Sequence, residues 1–193
     1  GERTPRPFSP PGTARCGCDA VNEDLALLVL RVTVGLVVMA HGLLKLGWVG
    51  KGGSIPGVAG WFGSLGLRPG LFWALVATAA EAGGGLLTVL GLGGPIGPAI
   101  VVADLVVVTI VAHVPQGFWA GGGKVGVEFP ISLAAGAFAL ALIGNGGWSL
   151  DGALALTYPE WLLPSWLALV AIGAVLALLI RAAFAPRPPQ KTV

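Results

Sequence analysis

Charge is what this 193-residue sequence has least of. Lys, Arg, Asp and Glu together make up 10% of it, against 55% hydrophobic residues and a mean hydropathy of +0.86. A soluble domain carries about a quarter charged residues, so a water-facing surface is excluded for most of the chain. Cysteine is nearly absent as well. Cys16 and Cys18 both lie in the N-terminal stretch, which excludes a disulfide-stapled fold and a four-cysteine zinc site. A Cys-x-Cys pair can be half of a redox or metal site, but two thiols specify little, and the incidental reading is preferred. The formal net charge of +2 is too small and too scattered for nucleic-acid binding. Also missing are a phosphate-cradling Gly loop before Lys-Ser/Thr, a Gly-x-Ser-x-Gly elbow and a His-Glu-x-x-His pair.

What the sequence has in abundance is long apolar runs and 32 glycines. So many glycines would ruin soluble helices, whereas in lipid they let helices approach closely. Residues 1–24 hold four prolines and mixed charges and are read as an extended Pro-rich tail without the order of a cleavable signal. Apolar spans follow at about 25–47, 71–92, 96–114 and 129–143, the last one short. A further apolar run, 161–184, reads as a fifth spanning helix, and residues 185–193 as a disordered C-terminal tail. Between the first two spans, residues 58–65 are too few to cross and read as a half-helix at the interface, anchored by Trp61 and Phe62. The expected fold is therefore all-α: a polytopic membrane helical bundle, divided as 1–24 tail, 25–152 four-helix core, 153–184 additional helix and 185–193 tail.

Orientation follows from the basic residues. Five spans with the N-terminus outside place Lys45, Lys51, Arg68, Lys124, Arg181, Arg187 and Lys191 inside, against Arg3, Arg6 and Arg15 outside. The count favours an outer N-terminus and a cytoplasmic C-terminus.

An ionisable side chain at mid-membrane costs at least ~2.5–3.5 kcal/mol on insertion scales. It persists when paired, hydrated or functional. The first span carries Arg31, His41 and Lys45, the second Glu81, the third Asp104 and, at its end, His113. At ~100° per residue, Lys45 and His41 lie ~40° and ~80° from Arg31, so one polar, small-residue face with Gly35 and Gly42 is expected to look into the bundle. Arg31, Lys45, Glu81 and Asp104 sum to zero charge, as expected of groups that neutralise one another. They are read either as ion pairs fastening helices or as a functional polar pocket. The poor return of buried pairs in stability tilts the reading towards function. His41, one turn from an ammonium, is expected neutral and available to donate to a carboxylate, a quinone carbonyl or a partner. His113 is half a turn of the wheel from Asp104 and reads as interfacial. Two histidines on separate helices do not make up a metal-ligand set.

The order of these features resembles the DoxX family of small bacterial membrane proteins. It includes Leu30-Arg31, Gly35, His41-Gly42 with Lys45, a Trp-Phe segment, Glu81 followed by Gly-Gly-Leu-Leu, a Leu-Gly-Leu turn at 90–92, a late His113, and Ser149-Leu150-Asp151. The resemblance covers residues 25–152 and rests on the ordered set rather than on any one motif. It implies a four-helix core, a bacterial inner-membrane location, and an association with membrane redox chemistry linked to quinones and thiol stress. The positions it carries over are Arg31, His41, Gly42, Lys45, Glu81, His113, Ser149 and Asp151. This chain departs from the pattern in its fifth helix, its Pro-rich Cys-bearing tail, and a second-to-third connection without a basic residue.

The functional expectation is an accessory integral-membrane subunit of a quinone-linked redox assembly. It would be surrounded by lipid, position another membrane subunit and line a quinone or proton site with Arg31, His41, Glu81 and Asp104. No cofactor is read from the residues themselves; quinone is the one the resemblance brings. Two alternatives remain: a quinone-reducing catalytic subunit, and a small-molecule transporter or binder using the charged pocket. Whether the chain is an enzyme stays open. No inverted repeat of the transporter kind is evident, and the extra helix, with a small-residue row at Gly173 and Ala177, is read as a docking element.

Overall fold

The computed structural model describes residues 17–184. Among them all regular structure is helical. Helix α1 runs Gly17–Lys45 and the short α2 runs Ile55–Ser64. Helix α3, Gly70–Leu90, contains a π-helical turn at Ala80–Gly84. Helix α4, Ile96–Gln116, contains a π turn at Thr109–His113 and ends in a 3-10 turn at Val114–Gln116. Then come α5, Glu128–Ile143, a single turn α6, Leu150–Ala153, and α7, Leu162–Phe184.

Four of these helices are long and apolar enough to cross a membrane: Val21–Lys45, Gly70–Leu90, Ile96–Gln116 and Leu162–Phe184. The chain is thus a multi-pass membrane protein. Helix α5, at 16 residues, rises about 24 Å, short of a hydrocarbon core of about 30 Å. It nevertheless packs along both α1 and α4 as a member of the bundle.

One boundary and one interface anchor differ from expectation. Helix α1 begins at Gly17, eight residues before position 25, so part of the segment read as an extended tail is helical. Asn22, Glu23 and Asp24 lie within its first eight residues. Cys16 and residues 185–193 lie outside the described residues. Helix α2 is the expected short apolar piece, started by Ser54, whose hydroxyl accepts from the Gly57 amide at 3.2 Å. Its aromatic pair is divided: Trp61 is exposed, but Phe62 is buried in the core and is not an interface anchor.

Two apolar centres hold the bundle. Val34, Val38, Val101, Leu105 and Ala137 meet where α1, α4 and α5 converge. Phe62, Leu67, Ala74, Ala77, Val111 and Ala177 meet where α2, α3, α4 and α7 converge. Between α1 and α3 the contact is backbone on backbone. A methyl on Gly35 would stand 2.8 Å from the Gly85 carbonyl oxygen, one on Gly85 would stand 2.7 Å from the Met39 amide nitrogen, and one on Gly42 2.5 Å from the Ala82 nitrogen. Gly84 approaches Ile100 of α4, while Gly83 meets nothing within 4 Å. Gly85, Gly84 and Gly83 therefore serve α1, α4 and no neighbour respectively.

Helix α7 stands apart. Only 6% of its apolar window is buried, against 33–39% for the other three long helices. Of the small-residue row, Ala177 is 1% exposed within the second apolar centre, whereas Gly173 is exposed with nothing within 4 Å of where a side chain would begin.

The α1–α3 seam gives a contrast that is easy to test. Gly85→Val should destabilise the bundle by at least about 1–3 kcal/mol through overpacking, whereas Gly83→Ala should be neutral or slightly stabilising. Thermal unfolding of the detergent-solubilised variants reads both.

Candidate functional site

The ionisable residues of the spans do not form one group. Arg31, expected to share a pocket with Glu81, is 3% exposed at the opposite end of the bundle. Its guanidinium donates to the Trp148 carbonyl and, at 3.4 Å, to the Leu90 carbonyl. The Leu90 carbonyl ends α3 and the Trp148 carbonyl lies in the loop between α5 and α6, so Arg31 ties the middle of α1 to both. Position 91 must be glycine: its φ is +62°, and a side chain there would run into the guanidinium.

Asp151 and Ser149 belong to this same cap. The Asp151 carboxylate is 8% exposed and accepts four hydrogen bonds: from the Gly93 amide (3.0 Å) and Tyr158 hydroxyl (2.7 Å) on one oxygen, and from the Gly94 amide (2.8 Å) and Asn145 side chain (2.7 Å) on the other. Ser149 caps α6 by accepting from the Gly152 amide at 3.0 Å and donates to the Gly146 carbonyl. Asp24 accepts from the Gly147 amide at 2.6 Å. Burial alone would raise the Asp151 pKa, but the hydrogen bonds from Tyr158, Gly94, Asn145 and Gly93 outweigh it and hold the carboxyl below its ordinary value. A carboxylate with both oxygens saturated has nothing left for a substrate. This cap is structural.

The second group lies in the other half of the bundle. Lys45 Nζ stands 2.7 Å from Glu81 Oε2, with the side chains 16% and 10% exposed. Asp104 on α4 lies within electrostatic reach of both, and its Oδ2 is buried with no hydrogen-bond partner. The π turn at Ala80–Gly84 carries Glu81; such turns insert one extra residue per turn and recur at functional sites. Without Arg31, the group has two carboxyls to one ammonium. In a medium that cannot hydrate ions, its neutral form needs one more positive charge.

Neither histidine bonds into this group, although His41 lies within electrostatic reach of Glu81. His41 is exposed, with its Nδ1 2.8 Å from the Val37 carbonyl and its ring 6.1 Å from that of Phe129. The bond to its own helix turns the ring away from the interior face where it was expected. His113 places Nδ1 2.9 Å from the Gly126 carbonyl, fastening the loop that leads to α5. A carbonyl can only accept, so each Nδ1 carries a proton and each neutral ring would leave Nε2 as an acceptor. Gly42 is a contact point of the α1–α3 seam. Among the described residues no three His, Cys, Asp or Glu side chains converge as a metal-ligand set.

Beside Asp104 lies a cavity of about 410 Å³ between α2, α3, α4 and α7. Phe62, Phe72 and Trp73 supply its aromatic wall, Val107, Val111 and Ala177 its aliphatic one, and Asp104 is the one ionisable residue on it. Lys45 Nζ stands 6.0 Å from the Phe62 ring centroid, so one aromatic residue borders both the ion pair and the cavity. The sequence reading missed Phe72 and Trp73, and it missed Asn145 and Tyr158 as partners of Asp151. No local signal marks them, since each acts through a contact between distant segments.

Two variants separate structure from chemistry. Asp151→Asn should cost on the order of 2–3 kcal/mol by exchanging a charged acceptor for a neutral one facing four donors. Because the folded pKa is depressed, the stability Asp151 supplies is present above its unfolded value of about 3.9 and is lost as pH falls through the lower folded value. Acid unfolding of the wild type and of Asp151→Asn should therefore converge below about pH 4. Glu81→Ala removes the 2.7 Å partner of Lys45 and leaves the ammonium only Asp104, so it should cost less than the roughly 3–5 kcal/mol of a fully stranded buried charge, while replacing Lys45 and Glu81 together by Leu should restore folding; membrane level and thermal unfolding report both.

Comparison with known proteins adds one match. Residues 26–114 fit the DoxX family model, a stretch that takes in α1 to α4 with Arg31, His41, Lys45, Glu81, Asp104 and His113. No curated protein and no solved structure matches the chain. The match falls on the residues and helices from which the resemblance was read, and over that stretch, a little under half of the chain, the protein is similar to the DoxX family.

Proposed function

We propose that the protein is an accessory subunit of a quinone-linked redox assembly in the bacterial inner membrane, where it supplies a site between spanning helices for an exchangeable proton. The observation that carries the reading is the Lys45, Glu81 and Asp104 group: three ionisable side chains within spanning helices, one carboxyl in excess. Reducing a quinone by two electrons takes up two protons. A buried carboxyl that can give one up is the chemistry such an assembly needs from a subunit that need not carry electrons itself. Helix α7, with so little of its surface buried in its own chain, has a face free for another subunit or for lipid.

A second reading, a small-molecule binder, is favoured by the apolar cavity against Asp104. A catalytic quinone reductase would require electron-carrying groups that the described residues do not suggest.

The Lys45→Leu, Glu81→Leu double variant decides between fastening and function. The accessory reading expects it to fold and to bring down the same membrane partners from mild detergent, with the quinone-reducing activity of that assembly reduced at least tenfold (about 1.4 kcal/mol). Full activity would mean that the pair only fastens helices.

Sidedness is part of the proposal. Lys45, Lys51, Arg68, Lys124 and Arg181 lie at one end of the bundle, while Asp24, Asp151 and Glu160 lie at the other. The first end is assigned to the cytoplasm, which requires α5 to cross as a fifth, short span. In a background with Cys16 and Cys18 replaced by Ser, Glu160→Cys should react with an impermeant thiol reagent on intact cells. Trp119→Cys should react only after permeabilisation.

A further inference from the structure

The cavity against Asp104 is open on one side. Phe72 (54% exposed), Val76 (42%) and Leu176 (52%) line it and are also surface residues, on α3 and α7. Helix α7 packs chiefly on α4, so a slot is left between α3 and α7 along a stretch that both contribute to the lipid-facing surface. Asp104 and Ala177 lie deeper, and Gly173 sits at the edge with nothing within 4 Å of where a side chain would begin. A molecule dissolved in the hydrocarbon could pass through that slot without meeting water.

The lining defines what would stay. A purely apolar guest would leave Asp104 Oδ2 without a partner. An anion would face the Asp104 carboxyl. A cation with an apolar body answers each feature at once: the surplus carboxyl takes the charge, the aromatic faces of Phe62, Phe72 and Trp73 favour a cation through their quadrupoles, and the aliphatic remainder takes the apolar part. Phe62 already borders one ammonium, that of Lys45. A volume of about 410 Å³ suits a small ring with a short alkyl chain.

We propose that the protein binds a lipid-soluble organic cation in this cavity, with the charged group on Asp104 among Phe62, Phe72 and Trp73, entering from the bilayer between α3 and α7. The inference stands on the cavity and its charge, and does not depend on the redox role.

The test uses the full chain in phosphatidylcholine nanodiscs and radiolabelled N-hexylpyridinium, with hexylbenzene as the neutral analogue of the same shape. Empty nanodiscs give the non-saturable background. Saturable binding near one per chain is expected, not displaced by hexylbenzene. Asp104→Asn keeps the shape and removes the charge, and should weaken binding by at least about tenfold. Gly173→Phe fills the slot from a position with free space and should abolish binding, with thermal unfolding showing that both variants remain folded. Binding of the cation by Asp104→Asn within about twofold of the wild type, equal displacement by hexylbenzene, unchanged binding by folded Gly173→Phe, or no saturable binding at all would each overturn the proposal. None of these results bears on the activity of the Lys45→Leu, Glu81→Leu variant, so the two readings fail separately.

Discussion

Everything in this bundle depends on one condition of the bilayer: a polar group at depth has to find its partner within the protein. The Lys45–Glu81 ion pair, at 2.7 Å, is where that condition bears hardest. For the two to meet, α1 and α3 must run almost in backbone contact, which is why Gly35 and Gly42 on one helix face Gly85 and Ala82 on the other. Any larger residue in that seam would part the helices and separate the charges. The π turn at Ala80–Gly84 falls in the same place and sets the register in which Glu81 faces Lys45.

The same condition distinguishes the two polar ends of the molecule. At the cap, every acceptor position of Asp151 is used, Arg31 is fixed on two carbonyls, and Ser149 closes its own turn. Saturation of that kind stabilises and leaves no chemistry. Around Asp104 the opposite holds: an oxygen without a partner, a surplus carboxyl and an open apolar cavity lie together. The membrane places a high cost on such an arrangement, so its presence points to a use that the cap does not have.

Much of this was legible in the sequence, for particular reasons. Hydropathy over 18 or more residues located the four long helices, because only burial in lipid or protein tolerates such runs. The helical wheel grouped Lys45 with the interior, and the zero charge sum put Glu81 among the groups expected to neutralise the cations of the first helix, without choosing between Arg31 and Lys45. Arg31 was misplaced because a wheel gives angle but not height: it shares a face with Lys45 but lies almost four turns away, beside the end of α3 and the loop after α5. His41 shares that sector too, yet its bond to Val37 turns it outward, a choice of rotamer that spacing cannot reveal. The start of α1 was set too late because acidic residues look alike in a tail and in a first helical turn. Asn145, Tyr158, Phe72 and Trp73 acquire their roles only when segments far apart in sequence meet.

The central claim is that Lys45, Glu81 and Asp104 form one unit with one carboxyl more than its ammonium can neutralise. Infrared spectroscopy of the folded protein at neutral pH tests it most directly, since a protonated carboxyl absorbs apart from carboxylates and from the amide band. The account predicts such a band in the wild type, and its loss in either Asp104→Asn or Glu81→Gln, because each variant leaves one carboxylate to one ammonium. A wild-type spectrum without that band, or a band that survives both substitutions, would contradict it.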